Sequence, residues 1–345
     1  MLIYCWLLLA LHPSIASDEE IVFFPSLAKQ SAEGTWQAQV HGWIFEPEFD
    51  SRTRRALAAS LRKALGDLTD SEARLFEERM RWFLVDNERG KRITILLGEH
   101  QFTLDKSDAS GHFHGEMTLP EKSPDSFAAV TSPRDTRLFR GRLHRVSDGG
   151  WAVVSDIDDT IKISGVLDKR ELLINTFCRP FAPTPGLAEI YRQWAARDAS
   201  FFYVSASPWQ LYPDLAEFIR SNRFPLGVFF LRPLRVKDRT FYHFLFEDKI
   251  AYKRERILNL YRDFPTKKFL LVGDSGEKDP EVYGEIAARY PKRTLAILIR
   301  QVREKPDPDR LSDLAKRVAP IPVVVFREHE ELAGFDPLQS TPSKD

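Results

Sequence analysis

Trp151-Ala-Val-Val-Ser-Asp-Ile-Asp-Asp-Thr160 decides the fold of the larger part of this chain. A short apolar run suited to a buried strand leads straight into three carboxylates and a hydroxyl, as expected where a parallel strand ends at a binding edge. Downstream, the pattern predicts helix 186–197, strand Phe201-Phe-Tyr-Val204, helix 210–222, strand Val228–Leu231 and helix 249–262. Strand Phe269-Leu-Leu-Val272, helix 279–290 and strand Leu295–Ile299 follow, and Ile321–Phe326 could add an edge strand. Strands separated by helices imply βαβ units and a parallel sheet covered on both faces. The expected fold class is α/β, a three-layer Rossmann-like parallel sheet over 148–328, with a polar tail at 329–345.

Upstream, residues 18–147 read as a β-rich domain. Thr35-Trp-Gln-Ala-Gln-Val-His-Gly-Trp-Ile-Phe45 alternates between apolar and polar residues, and strands resume at Lys91–Leu97 and around Phe102 and Phe113. Ala56, Leu57, Leu61 and Leu65, then Leu75, Phe76 and Phe83, recur at helical spacing around a Gly66-Asp67 break. That predicts a helical hairpin inserted into the β-rich domain. The stretch near 120–135 is polar and Pro-containing and reads as a loop. Met1–Leu11 is an uncharged apolar run followed by Ser14-Ile-Ala16, so residues 1–17 read as a secretory signal although no Lys or Arg precedes the run. This implies a secreted or periplasmic protein, and otherwise a cytoplasmic one.

The 345 residues suffice for two domains, and 50 basic against 50 acidic side chains leave no global field to hold nucleic acid or an anionic membrane. Cys5 lies in the signal-like run, so Cys178 stands alone in the rest of the chain and no disulfide framework or Cys-based zinc site is expected. His112-Phe-His114 puts two imidazoles on one strand face but lacks a nearby third ligand type, and reads as structural.

The residues that follow each apolar run form a coherent set. An extended i, i+2 geometry turns Asp156 and Asp158 to one side, and two carboxylates that close stay ionised together only beside a cation, which suits Mg²⁺. The next strand ends in Val204-Ser205-Ala-Ser207, and a later one in Gly273-Asp274-Ser-Gly-Glu-Lys-Asp279. Lys253 lies in the helix between them, with Lys249 and Lys237 as competitors. An Asp-x-Asp-x-Thr run alone is weak, since acidic turns and helix caps are common after strands. Four such pieces in order are more specific.

Asp156-Ile-Asp158-Asp-Thr160, Ser205, Lys253 and Gly273-Asp274…Asp279 together resemble the four-motif signature of the haloacid dehalogenase-like phosphohydrolases. Asp156-Ile-Asp-Asp-Thr-Ile-Lys162, Val204-Ser-Ala-Ser-Pro-Trp-Gln-Leu-Tyr212 and Val272-Gly-Asp-Ser-Gly-Glu-Lys-Asp-Pro-Glu-Val-Tyr283 are more narrowly similar to the App1-like phosphatidate phosphatases. The resemblance implies that Asp156 is the nucleophile of an aspartyl-phosphate mechanism and Asp158 the acid and base. It implies Mg²⁺ held by Asp156, the backbone carbonyl of Asp158 and Asp274, with Ser205 and Lys253 on the phosphoryl oxygens. Asp279 is then a ligand through water or the group that fixes Lys253, and Thr160 orients the loop.

The expected function is a Mg²⁺-dependent phosphomonoesterase acting on phosphatidate or a related lipid phosphate. The rivals are a phosphatase for a soluble or protein phosphoester and a non-catalytic phosphatidate-binding module. The second is disfavoured because a pure anion binder gains nothing from a carboxylate where phosphate must lie. Short inserts between Thr160 and Pro185 and between Ser207 and Lys253 leave no room for a separate lid domain, and Arg179, Arg232, Arg235 and Lys237 could form a basic rim for peripheral membrane contact.

Overall fold

The computed structural model describes residues 15–31, 33–47, 52–120, 122–234, 250–305 and 307–339. Most of the expected signal segment, together with Arg235, Lys237 and Lys249, lies outside the described residues. The chain divides into two units, one formed by Met1–Arg55 and Leu84–Val146 and the other by Ala56–Phe83 and Ser147–Asp345.

The first unit is built from β1 (Glu20–Phe23), β2 (Ser26–Gln30), β3 (Trp36–Glu46), β4 (Asp86–Asn87), β5 (Arg92–Leu97), β6 (His100–Lys106), β7 (His112–Leu119), β8 (Ser126–Ala129) and β9 (Arg140–Val146). They form one nine-stranded sheet in which the long β3 pairs antiparallel with β1, β2, β4 and β7. From Phe113 onward, alternation along β7 buries Phe113, Met117 and Leu119 on one face, which is how a period of two becomes a core. Phe23 meets Phe113 and Phe127 edge-on at 5.6 and 4.9 Å between ring centroids. Gly42 lies under the Phe113 ring, where an added Cβ would meet it at 2.2 Å.

β8 corrects the reading of 120–135 as loop throughout. Phe127 pairs across from Gly141, and its ring takes the place that a side chain there would fill. One buried aromatic thus outweighs the polar residues around it. His112 is buried and hydrogen-bonded to His41 at 2.9 Å, and burial lowers its pKa to about 4.

The second unit contains α1 (Arg52–Leu65) from Ala56 onward and α2 (Asp70–Met80). Residues 56–83 therefore group with the α/β part of the chain and not with the β-rich part into which the sequence inserts them. Thr69 starts α2 with a reciprocal capping box, its hydroxyl accepting from the Glu72 N–H while the Glu72 carboxylate accepts from the Thr69 N–H. Leu61, Leu65, Phe76 and Met80 are buried.

A central parallel sheet has the order β14 (Val228–Arg232), β13 (Ser200–Pro208), β10 (Trp151–Ser155), β15 (Lys268–Asp274), β16 (Thr294–Arg300), β17 (Val323–Phe326). Every neighbouring pair is parallel, and β10 and most of β15 and β16 are buried along their length, as the continuous apolar runs require. A two-stranded β11 (Lys162–Ile163) and β12 (Ala182–Pro183) frames α3 (Lys169–Phe177) after β10. Helices α4 (Leu187–Ala195), α5 (Tyr212–Ser221), α6 (Ile250–Asp263) and α7 (Asp279–Arg289) occupy the predicted places. Helix α8 (Pro308–Val318) was hidden in the sequence by proline and charge, yet Asp307 caps it by accepting from the Arg310 N–H and Pro308 opens it. Among the described residues no helix is long and apolar enough to cross a membrane.

Arg79 ties α2 to α3 within this unit. Its Nη1 donates to the carbonyls of Thr176 and Arg179 at 2.7 Å each, and its guanidinium lies 3.9 Å from the Phe181 ring centroid. Arg79→Met leaves those carbonyls without their charged donor, so it should lower the unfolding free energy by about 2 kcal/mol. A urea titration of the full chain reads this directly, and an unchanged midpoint would show that the clamp contributes nothing.

Candidate active site

The carboxyl ends of adjacent strands β10, β13 and β15 bring the sequence-selected residues to one edge. Asp156 follows β10 and its N–H donates to Val272 O at 2.9 Å, which sets it level with the end of β15, where Asp274 lies. Ser205 and Ser207 lie at the end of β13, Lys253 on α6, and Asp279 opens α7. All but the partly exposed Ser207 are buried.

The chain does not stay extended after Asp156, as the i, i+2 argument assumed. Ile157 O accepts from the N–H groups of Thr160, Ile161 and Lys162, and Asp159 adopts a left-handed conformation at φ 52°. That conformation is tolerated because the Asp159 carboxylate accepts from the N–H groups of Ser164, Gly165 and Val166 at 2.6–3.0 Å. The turn gives Asp156 and Asp158 separate partners. Asp158 Oδ1 receives Lys162 Nζ at 2.7 Å and the Ser164 hydroxyl at 2.8 Å, while Oδ2 receives Ser205 and Ser207 at 3.1 and 2.9 Å. Thr160 donates to Asp156 Oδ2 at 3.3 Å and its carbonyl accepts from Thr184.

Lys253 sits at the centre of the acidic group. Its Nζ lies 2.8 Å from Asp156 Oδ1, 2.8 Å from Asp279 Oδ1 and 2.9 Å from Glu277 Oε2. Asp279 turns its other oxygen to the Asp274 N–H at 3.2 Å, so its carboxylate fixes Lys253 and the loop together. Gly273 permits this, because a Cβ there would meet Asp279 Oδ2 at 2.4 Å. Carboxylate oxygens of Asp156, Asp274 and Glu277 lie within 4.8 Å of one another. Glu277 was missed as a candidate, although it lies three residues after Asp274 in the quoted motif.

The charges do not balance within the protein. Burial pushes the carboxyls of Asp156 and Asp274 well above the usual range, and neighbouring carboxylates push them further against the pull of Lys253. Burial also raises Asp279. Burial alone would draw the Lys253 ammonium down, but Asp156, Asp279 and Glu277 outweigh it and hold its pKa well above that of a free lysine. Asp274 Oδ2 is buried with no hydrogen-bond partner, while its Oδ1 accepts from the N–H groups of Gly276 and Glu277. Four carboxylates facing one ammonium, with an unsatisfied oxygen among them, form a hard oxygen site that fits a divalent cation.

The remaining expectations divide. Arg179 is paired with Glu72 and Glu171 at 3.2 and 3.0 Å, while Arg235 and Lys237 of the expected rim lie outside the described residues. Beside the Asp159 loop is a cavity of about 430 Å³ bordered by Ile163, Leu167, Asn175, Arg300 and Arg327. Ile163 and Leu167 are exposed apolar residues there, and Arg300 Nη1 donates to Asp159 O at 2.8 Å.

Acidic residues thus surround a buried lysine at the carboxyl edge of the parallel sheet. Residues 151–301 match the family model described as Phosphatidate phosphatase APP1, catalytic domain. The chain is 40% identical over 159 residues to Phosphatidate phosphatase APP1 of Saccharomyces cerevisiae, an alignment covering 45% of this chain and 26% of that protein. It is 33% identical over 170 residues to an uncharacterized protein of Schizosaccharomyces pombe, covering 48% and 27%. The chain thus spans about a quarter of the length of these relatives.

The sign of the electrostatics is testable. Asp274 has a folded-state pKa above its unfolded value of about 3.9, so its contribution to stability is present below that value and lost as pH rises through the folded pKa. With a chelator present, Asp274→Asn should therefore stabilise the chain near neutral pH by at least ~1 kcal/mol, a gain that disappears near pH 4. Urea unfolding at the two pH values measures this, and a variant less stable at neutral pH would contradict the charge imbalance.

Proposed function

We propose that the second unit is a Mg²⁺-dependent phosphomonoesterase that works through an aspartyl-phosphate on Asp156 and acts on phosphatidate or a related lipid phosphate. The observation that carries this reading is the convergence of the Asp156, Asp274 and Glu277 carboxylates around Lys253 at the end of the parallel sheet. The match of residues 151–301 to a phosphatidate phosphatase catalytic domain supports the reaction class.

Asp156, Asp274, Glu277 and the backbone carbonyl of Asp158 would hold Mg²⁺. Bound there, the ion would neutralise the carboxylates and the phosphate that must approach them. Asp156 attacks phosphorus, and the bond to the leaving oxygen breaks with its electron pair. Asp158 gives that alkoxide its proton, then takes one from the water that attacks the aspartyl-phosphate, releasing inorganic phosphate and restoring both carboxyls. Lys253 and Ser205 orient the phosphoryl oxygens as charge develops on them. Lys162, Ser164 and Ser207 fix the Asp158 carboxyl, and Thr160 steadies Asp156. The apolar Ile163 and Leu167 at the rim of the neighbouring cavity support an amphiphilic ester as substrate.

Phosphate release from phosphatidate, lysophosphatidate, phosphoinositides, phosphopeptides and sugar phosphates tests the substrate class. Phosphatidate or lysophosphatidate should be preferred, and preference for a small soluble ester would remove the lipid reading. Asp156→Asn should reduce turnover on the order of 10⁴-fold while the circular dichroism spectrum stays unchanged. EDTA should silence the wild type and Mg²⁺ restore it; activity retained in either case would reject the mechanism.

A further inference from the structure

The loop carrying Glu277 is gripped from outside the stretch that matches the phosphatidate phosphatase catalytic-domain model, which ends at 301. Arg310, on α8, donates from Nη1 to Ser275 O at 2.7 Å and from Nη2 to Glu277 O at 2.6 Å. Its Nε and Nη2 also reach the two oxygens of Glu281 at 2.9 and 2.6 Å, a bidentate pair that fixes the plane of the guanidinium. Arg303 adds donation to Ser275 O at 3.1 Å and to Gly276 O at 3.3 Å. The N–H groups of Gly276 and Glu277 point the other way, onto Asp274 Oδ1.

The Ser275–Gly276 and Gly276–Glu277 peptides are thus held at both ends, carbonyls on the arginines and N–H groups on the acidic centre. Flipping either of these peptides would cost contacts on both sides, which favours the observed arrangement. In that arrangement Glu277 meets Lys253 and shares the oxygen cluster with Asp156 and Asp274. We infer that Arg310 is a positioning residue for the cation site, making α8 part of the phosphatase apparatus. This rests on the reading that the acidic centre binds a divalent cation. Partners that orient a metal's own ligands typically change affinity by about 10–100-fold when removed.

The test is Mn²⁺ binding to the full chain, followed by electron paramagnetic resonance without substrate. Arg310→Met should weaken Mn²⁺ about 10-fold and raise the Mg²⁺ concentration needed for half-maximal activity, with kcat at saturating Mg²⁺ within about threefold of wild type. Arg310→Lys should recover only part of the loss, because an ammonium cannot span two carbonyls and a carboxylate in one plane. Arg254→Met, which removes an exposed pair with Glu285, should leave Mn²⁺ binding unchanged. If Arg310→Met does not fold, Glu281→Gln frees the guanidinium without removing it and should weaken Mn²⁺ a few-fold. A folded Arg310→Met or Glu281→Gln variant that binds Mn²⁺ within twofold of wild type overturns the inference while leaving the functional reading intact. A wild type that binds no Mn²⁺ overturns both.

Discussion

Lys253 is the constraint on which the acidic edge of the parallel sheet depends. A buried ammonium within 3 Å of three carboxylates allows Asp156, Glu277 and Asp279 to crowd together at the end of a buried parallel sheet. It cannot neutralise all of them and Asp274 as well. The residual negative charge, confined where water is scarce, suits a hard cation. Removing the lysine would leave several buried carboxylates uncompensated, whereas removing one carboxylate would relieve part of the excess, so the site is one electrostatic object.

The fold supplies this object in layers. Parallel pairing of β10 with β13 and β15 sets the positions of Asp156, Ser205 and Asp274. The turn after Asp156 separates its carboxylate from that of Asp158 and gives each its own supports. Behind the last motif, Asp279 and the arginines of the carboxyl-terminal region hold opposite sides of one short loop. The same unit includes the helices at 56–83, so the structure around α3 draws on chain from before the β-rich part is complete.

Much of this was legible in the sequence because buried parallel strands are apolar throughout and end abruptly in polar residues. The alternation of strand and helix from Trp151 to Ile299 follows from that, and Lys253 falls where the motif order places it. What stayed hidden depended on partners distant in sequence. Amphipathic spacing showed that the helices at 56–83 bury a face, but not which unit receives it. Glu277 and Asp279 are two residues apart in one motif and both meet Lys253, and only the close packing of Asp279 over Gly273 decides which of them also takes the Asp274 amide. Phe127 was masked by polar neighbours, and α8 by its prolines and charges.

Anomalous scattering from crystals of the full chain soaked in Mn²⁺ tests the central claim most directly. The account predicts a single peak in this unit, within coordination distance of carboxylate oxygens of Asp156, Asp274 and Glu277, with Asp279 still on Lys253. A peak coordinated by the Asp279 or Asp158 carboxylates instead, or none at saturating Mn²⁺, would contradict it.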